Sequence, residues 1–165
     1  MYVLDHKRQI SLIREMIQLR KDNEKWEAYY HHPSTNVMWK SYFPKANDHD
    51  RGPKILRTEP VPVQLEEWLE SCLIDADPED ARGLGIELSI TPQNWDQLME
   101  IIEANYRQYS RKQLSLFLAC LGIEHYQALF DEMNYSLQNV GLEKEDMEKL
   151  ARRSKIVRFK RFWFF

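Results

Sequence analysis

Apolar residues near the N-terminus recur at intervals of three and four, the spacing that places side chains on one face of an α-helix. The members of this stripe are Ile10, Leu12, Ile13, Met16, Ile17 and Leu19. The same spacing extends to Trp26, Tyr29 and Tyr30, and Pro33 interrupts it. The pattern therefore predicts a first helix that ends before Pro33.

Residues 33–62 break the helical spacing. Prolines punctuate the segment, and residues 47–52 (Asn-Asp-His-Asp-Arg-Gly) have the composition of a turn. Two short apolar and aromatic runs, residues 37–43 and 54–58, are compatible with strands or with an ordered loop. We expect an irregular segment or a short β-hairpin at 33–62 that folds onto the helices, because long structureless loops are uncommon in compact domains.

From Pro62 onward the spacing predicts a succession of helices. Asp77-Pro78 and Thr91-Pro92 each combine a capping side chain with a proline that needs no donor in the first turn. Gly122 is placed to end a helix in the left-handed conformation. Gly83 and Gly85 either weaken their helix or allow a neighbouring helix to approach closely.

The helical pattern continues towards the C-terminus. Residues 126–137 keep the helical spacing, and Gly141 separates them from a last helix around Met147 and Leu150. The 165 residues are the length of one domain. The expected fold is all-α or mostly α. It would be a single domain, residues 1–165, of about six or seven packed helices with an irregular or short β-hairpin segment at 33–62.

The net charge of −3 conceals an uneven distribution. Residues 151–165 contain six basic residues and no acid, whereas residues 1–150 contain seventeen basic and twenty-six acidic residues, a net charge of −9. The basic residues of this C-terminal segment alternate with aromatic and apolar ones: Arg152, Arg153, Lys155, Arg158, Lys160 and Arg161. Such a segment can bind nucleic acid through charge and stacking, lie on an anionic membrane surface, or dock onto the acidic remainder of the chain.

Motifs for common enzyme chemistry are missing from the sequence. It has no glycine-rich phosphate loop, no GxSxG elbow and no cysteine–histidine quartet. Adjacent carboxylates occur where first helical turns favour acids. The turn Asp48-His49-Asp50 contains metal-binding side chain types, but these are also usual in solvated turns, which is the interpretation we favour. We expect no catalytic residue, no metal site and no cofactor.

Two further patterns bear on the compartment. Cys72 and Cys120 lie in apolar helical stripes, which predicts buried thiols in a reducing environment. Charged residues are spread through residues 1–20, so they interrupt any apolar core of a signal peptide, and no apolar run has the eighteen residues of a membrane span. We expect a cytoplasmic protein.

Residues 50–103 contain a distinctive order of patterns. Asp50-Arg51-Gly52-Pro53 leads into Ile55-Leu56, and the apolar stripe of residues 65–73 follows. Next come the acidic helix start at residues 77–80 and the apolar residues of 95–102. This order resembles the small helical immunity proteins of bacterial polymorphic-toxin systems. The resemblance implies a non-enzymatic protein that binds a cognate toxin directly and inhibits it, without catalytic residues of its own.

An acidic chain suits a basic partner, because complementary charge accelerates encounter and rejects wrong partners. The acids that we predict to contact such a toxin cluster along one stretch: Glu66, Glu70, Asp75, Asp77, Glu79 and Asp80. Helix capping and solubility explain the same acids equally well.

Two aromatic residues, Trp39 and Tyr42, are further candidates for partner contact, since aromatics on an ordered loop either anchor a partner or pin the loop to the core. The alternative function is binding of nucleic acid or of a membrane surface through residues 151–165. The pattern leaves self-association open.

Overall fold

A computed structural model of the chain describes residues 1–46, 50–125 and 143–163. Contacts within it divide the chain into two compact units, which we call the sheet unit (residues 1–64) and the helical unit (residues 65–165). The helix predicted at 126–137 lies outside the described residues, as do Asp48 and His49 of the predicted turn.

The sheet unit contains five strands and one helix. In chain order these are β1 (Tyr2–Val3), α1 (His6–Arg14), β2 (Ile17–Asp22), β3 (Glu27–His32), β4 (Val37–Tyr42) and β5 (Ile55–Glu59). Neighbouring strands are antiparallel, in the order β1-β5-β4-β3-β2. Ser41 pairs with Ala28 on one side and with Leu56 on the other, so these three side chains share one face of the sheet.

That face packs against α1. Its core consists of four buried residues, Val3, Ala28, Tyr30 and Leu56, and four partly buried ones, Leu12, Ile13, Met16 and Trp39. Asp5 begins the helix, because its carboxylate accepts a hydrogen bond from the Arg8 amide at 2.8 Å. Gln9 joins the helix to the strands: its Nε2 donates to the carbonyl oxygens of Val3 (2.8 Å) and Lys54 (3.0 Å).

The predicted first helix is wrong beyond Arg14. The helix ends there, and residues 17–32 form the β2–β3 hairpin. The Asp22 carboxylate accepts hydrogen bonds from two backbone amides of the connecting turn, and burial along β3 alternates from residue to residue, which is the period of a strand. Ile17 and Leu19, which prolonged the apparent helical stripe, are exposed on β2 at the edge of the sheet.

The helical unit contains five helices and two short 3₁₀ turns among its described residues. The helices are α2 (Leu65–Leu73), α3 (Pro78–Leu88), α4 (Trp95–Asn105), α5 (Arg111–Leu121) and α6 (Lys144–Trp163). The 3₁₀ turns are Pro92–Asn94 and Ile123–His125. Two predicted end signals are confirmed. The Asp77 carboxylate caps α3 by accepting from the Glu79 amide at 2.8 Å, and Gly122 ends α5 with φ at 77°.

Close contact between α3 and α5 forms the centre of the helical unit. A Cβ atom on Gly85 would lie 2.6 Å from the carbonyl oxygen of Phe117 and 2.8 Å from Cβ of Cys120, so only glycine fits there. The close approach predicted from the Gly83-Leu84-Gly85 run is therefore confirmed at Gly85. Trp95 is fully buried, and its indole nitrogen donates to the Leu88 carbonyl at 2.8 Å.

The expectation of an all-α or mostly α fold, with only an irregular or short hairpin segment at 33–62, is wrong. The described residues form six helices and a five-stranded antiparallel sheet, which is a mixed α/β fold. Both short runs of the 33–62 segment are strands and pair with each other, but each also pairs with a strand that precedes the segment, so the pair is part of a larger sheet. β3 comes from the predicted first helix, and β1 comes from the first residues of the chain. Among the helices that the structure describes, none combines the length and the apolar character needed to cross a membrane.

Candidate partner-binding surface

The negative charge of the chain is concentrated in α2, α3 and α4. Residues 65–105, which we call the acidic segment, hold eleven acidic residues and one basic residue, Arg82. The helical unit as a whole has eighteen acidic and twelve basic residues, a net charge of −6. The sheet unit has eight acidic and eleven basic residues, a net charge of +3. A basic partner would therefore be attracted to one part of the helical unit rather than to the chain in general.

Helix α2 turns its apolar side inward and its carboxylates outward. The buried residues are Leu69, Cys72 and Leu73. Glu66 and Glu67 are exposed and Glu70 is half-buried, and no salt bridge joins these three to any other described residue. Asn105 of α4 donates a hydrogen bond to Glu66 Oε1 at 2.9 Å. Like charges one turn apart on a helix repel, so a cation brought to this surface would relieve the repulsion.

The field of these carboxylates acts on a buried neighbour. Tyr109 is fully buried, and burial, followed by the charges of Glu70 and Glu66, raises its pKa to about 12. Its hydroxyl has no hydrogen-bond partner among the described residues. The amide of Ser110 donates to the Leu73 carbonyl at 2.8 Å and so holds this segment against the end of α2. The charges of Glu66 and Glu70 therefore add to the effect of burial at Tyr109.

The turn into α3 supplies four more of the predicted acidic contacts. Asp75 is exposed, whereas Asp77 is occupied as the cap of α3. Glu79 is half-buried in the first turn of α3, and Asp80 is only 6% exposed. Asp80 thus lies inside the unit. Of the predicted set, Glu66 and Asp75 are exposed without a capping role, and Glu70 is half-buried without a salt bridge among the described residues.

Two of the three acids of α4, Asp96 and Glu103, are in contrast neutralised from within the helical unit, whereas Glu100 is exposed. Arg153 of α6 binds both oxygens of Glu103, with Nε–Oε1 at 2.8 Å and Nη2–Oε2 at 3.1 Å, and its Nη1 lies 2.5 Å from Oδ1 of Asp96. Arg158 pairs with Glu124 of the second 3₁₀ turn. These ion pairs neutralise acids that would otherwise extend the charged surface of α2 and α3.

Most of the predicted basic segment is part of α6. Leu150, Ala151, Ser154 and Val157 are buried along one side of this helix. Arg161 donates from Nε and Nη2 to the Tyr109 carbonyl at 3.1 and 3.0 Å.

The opposite side of α6 faces solvent and carries both charged and apolar side chains. Arg152 pairs with Glu148 one turn earlier, at 2.7 Å. Lys155 and Lys160 are exposed, and between them Ile156 and Phe159 are 52% and 57% exposed. This face therefore combines cations with apolar surface.

The aromatic candidates of the sheet unit lie on opposite faces of β4. Trp39 packs against the core on the α1 side. Tyr42 is buried on the other side, with the Lys40 ammonium 4.8 Å and the Arg57 guanidinium 5.2 Å from its ring centroid. The structure does not bring these two rings together.

Metal ligation has no support in the described part of the chain. Asp50 is described, but Asp48 and His49 are not. Residues 1–46, 50–125 and 143–163 contain no group of three or more histidine, cysteine or acidic side chains placed to hold a metal ion. Cys72 is buried as predicted, which raises the pKa of its thiol to about 12, and Cys120 is half-buried.

Glu67 belongs to the candidate surface and Tyr109 lies buried near it, although the sequence did not single them out. Counting charges over residues 65–105 would have found Glu67, because Arg82 is the one base in that stretch. No local pattern identifies Tyr109, since its position beside α2 arises from the packing of a later segment.

Comparisons with known proteins found no relative whose binding site could be compared with this surface. No protein-family model matches the chain, and neither a curated protein nor a solved structure matches it.

Proposed function

We propose that the chain is a non-enzymatic, cytoplasmic protein-binding protein, an immunity protein that inhibits a cognate toxin by direct contact. The toxin would be basic, and it would bind the helical unit at the exposed carboxylates of α2 and of the turn into α3. The observation that carries the proposal is the contrast between the acids of α2 and the two acids of α4 that Arg153 binds. Arg153 neutralises Asp96 and Glu103 of α4, whereas Glu66, Glu67 and Glu70 have no salt bridge in the described residues.

Physical chemistry supports a protein partner that supplies arginine or lysine. A cation placed between Glu66 and Glu70 would form charge-assisted hydrogen bonds, and it would remove the repulsion between the two carboxylates. Part of the side chain of Glu70 is already covered, so the carboxylate is less strongly screened than a fully exposed one. The resemblance of residues 50–103 to immunity proteins points to the same class of partner.

The experiment measures binding and protection with the basic protein encoded beside the gene for this chain. Its catalytically inactive form is titrated with the full chain by calorimetry, and the active form is expressed in cells with and without the chain. We expect tight one-to-one binding and rescued growth. The double variant Glu66→Gln/Glu70→Gln should weaken binding at least roughly tenfold, because two charge-assisted contacts are lost.

A matched control removes the same charge elsewhere. Glu143→Gln/Glu145→Gln neutralises two exposed acids near the start of α6 and should leave binding within about twofold, as expected for charges outside the contact. Asp77 is unsuitable for this purpose because its loss would uncap α3. Equal losses in both double variants, or no binding and no protection, would contradict the proposal.

A second candidate function is binding of nucleic acid or of an anionic membrane surface through α6. The observation that favours it is the exposed face with Lys155, Ile156, Phe159 and Lys160. Lys155→Gln/Lys160→Gln should then abolish retention on phosphatidylserine vesicles or on single-stranded RNA while toxin binding stays unchanged. Retention equal to that of the unaltered chain would remove this candidate.

A further inference from the structure

The sheet unit contains a pocket of about 300 Å³ that the proposed function does not use. It opens on the face of the sheet that carries α1. Six of its lining residues matter for its chemistry: Lys21, Trp26, Tyr30, Ser41, Phe43 and Lys54. Its volume lies at the lower end of the range for small-molecule sites, roughly 300–1,000 Å³.

Small residues at one cross-strand pair create this space. Ala28 and Ser41 lie opposite each other on β3 and β4, and both line the pocket. The next pair along the same face, Tyr30 with Trp39, is bulky and belongs to the core under α1. Ala28 and Ser41 therefore leave room above the sheet where large side chains would have filled it.

The pocket has two cations whose charge is available to a ligand. Neither Lys21 nor Lys54 forms a salt bridge with another residue in the described ranges. Lys54 is half-buried, and burial lowers the pKa of its ammonium. Burying part of a cation costs free energy, and an anion in the pocket would offset that cost.

The two acids that line the pocket already have partners. Glu27 Oε1 lies 2.6 Å from the Lys40 ammonium. Asp22 accepts hydrogen bonds from two amides of the β2–β3 turn and lies 3.8 Å from Arg20. Both carboxylates thus have partners that do not line the pocket. The two lysines, which have no salt bridge among the described residues, therefore favour an anionic ligand.

Aromatic rings form the remaining apolar wall. Trp26 is 46% exposed in the β2–β3 turn, where the Arg51 guanidinium lies 3.7 Å from the centre of its ring, and Phe43 follows the end of β4. A flat apolar body fits beside such rings, while a charged group at one end reaches the lysines.

We propose that this pocket binds a small organic anion, a carboxylate or phosphate group attached to a flat ring, with Lys54 as its main anchor and Lys21 as a second cation. Benzoate and phenyl phosphate serve as probes for the two kinds of anion, and benzamide serves as the uncharged counterpart of benzoate. The full chain is titrated with each compound, and NMR follows the Trp26 indole and the Ala28 methyl group.

We expect at least one of the two anions to shift both signals in a saturable manner, with benzamide binding at least roughly tenfold more weakly. Lys54→Met should weaken binding by a similar factor. Lys7→Met, an exposed lysine of α1, is the matched control and should leave the affinity unchanged. Ala28→Leu should fill the pocket and abolish binding, and the Lys54→Met comparison still tests the proposal if that variant does not fold.

Three outcomes would overturn the proposal. They are no saturable shift with either anion, equal binding of benzamide, and equal losses in Lys54→Met and Lys7→Met. The result is separable from toxin binding, because Glu66→Gln/Glu70→Gln should leave anion binding unaltered while it weakens toxin binding.

Discussion

The helical unit buries Trp95, Tyr109 and Phe117 completely. The sheet unit buries residues on both faces of its sheet, Leu56 on the α1 face and Tyr2 and Ile55 on the other. On its other face, the sheet unit carries ion pairs over aromatic rings, including Lys40 with Glu27 at 2.6 Å. The difference shows that two units of one chain can be stabilised by different kinds of interaction.

Both units contain ion pairs, but their exposure differs. The Lys40–Glu27 pair of the sheet unit is mostly covered, with side chains 17% and 22% exposed, whereas Asp96, which pairs with Arg153 in the helical unit, is 72% exposed. Solvent therefore screens the pair of the sheet unit less.

Charge separates the two units in the same way. The sheet unit has a net charge of +3 and the helical unit a net charge of −6, so neither has the −3 of the whole chain. In the helical unit Arg153 of α6 pairs with two acids of α4, whereas the acids of α2, as well as Asp75 and Glu100, have no salt bridge among the described residues. The sheet unit instead keeps two lysines in a pocket. Each unit therefore offers a binding chemistry of opposite sign.

The largest effect should come from Gly85 in the helical unit. Gly85→Ala would place a Cβ atom 2.6 Å from the Phe117 carbonyl oxygen, which is backbone and cannot swing aside. We expect the free energy of unfolding to fall by about 1–3 kcal/mol, because α3 and α5 must move apart. Urea unfolding followed by circular dichroism measures it.

Arg82→Ala is the control for this substitution. It lies on the exposed side of the same helix and should change stability by no more than about 0.5 kcal/mol. If Gly85→Ala were as stable as Arg82→Ala, close backbone packing would not be the dominant feature of the helical unit.

In the sheet unit the corresponding variant is Lys40→Met. The Lys40 side chain is 17% exposed and lies near Glu27, Tyr29 and Tyr42. Its removal would leave the partly covered Glu27 carboxylate without its cation, so we expect a loss of about 1–2 kcal/mol at neutral pH. Hydrogen exchange of β3 and β4 amides would show whether the loss is confined to the sheet unit.

The loss should also depend on pH. Burial by itself would raise the pKa of Glu27, but the hydrogen bond and charge of Lys40, together with the hydrogen bond of Tyr29 and the charge of Lys25, outweigh it and lower the pKa below its ordinary value. A lowered pKa in the folded state contributes stability above the unfolded value, and this contribution disappears as pH falls through the folded pKa. The difference between the unaltered chain and Lys40→Met should therefore be largest at neutral pH and shrink in acid. Lys7→Met should show neither effect.

Sequence patterns predicted two helix ends of the helical unit because these signals are local, whereas Thr91, the other predicted cap, makes no capping hydrogen bond. Asp77 with Pro78 marks a helix start, and Gly122 marks a helix end, through bonds and dihedral angles that involve only neighbouring residues. At Gly85 the sequence left two explanations open, a weakened helix or a close helix neighbour, and the contact with Phe117 and Cys120 shows the second.

The sheet unit could not be predicted in the same way because its pattern depends on distant pairing. Ile17 and Leu19 prolonged a helical stripe, but they lie on an edge strand where neither is buried. β1 has two residues and exists only because β5 pairs with it, more than fifty positions later. Only part of the candidate surface could be predicted from the sequence. Glu66 and Glu70 were named from charge, whereas the coupling to Tyr109 and the loss of Asp80 to the interior arise from packing.

The smallest effect should come from Arg153, which joins α6 to α4. Arg153→Ala removes its bonds to both oxygens of Glu103 and to Asp96. Because Asp96 is largely exposed and Arg153 is partly so, solvent screens the attraction, and we expect a loss of only about 0.5–1 kcal/mol. Thermal unfolding in low salt and in about 1 M NaCl measures it, and the loss should shrink in high salt, where the screening length is only about 3 Å.

Arg152→Ala distinguishes this pairing from ordinary surface charge. Arg152 is more exposed and pairs with Glu148 within the same helix, so its loss should lower the free energy of unfolding less than the loss of Arg153.

Arg153→Ala also frees the carboxylates of Asp96 and Glu103, and this enlarges the acidic surface that begins on α2. If that surface binds a basic toxin, Arg153→Ala should bind it no more weakly than the unaltered chain despite its lower stability. Equal costs for the two arginines at both salt concentrations would show that the apolar side of α6, around Leu150 and Val157, holds the helix without help from charge.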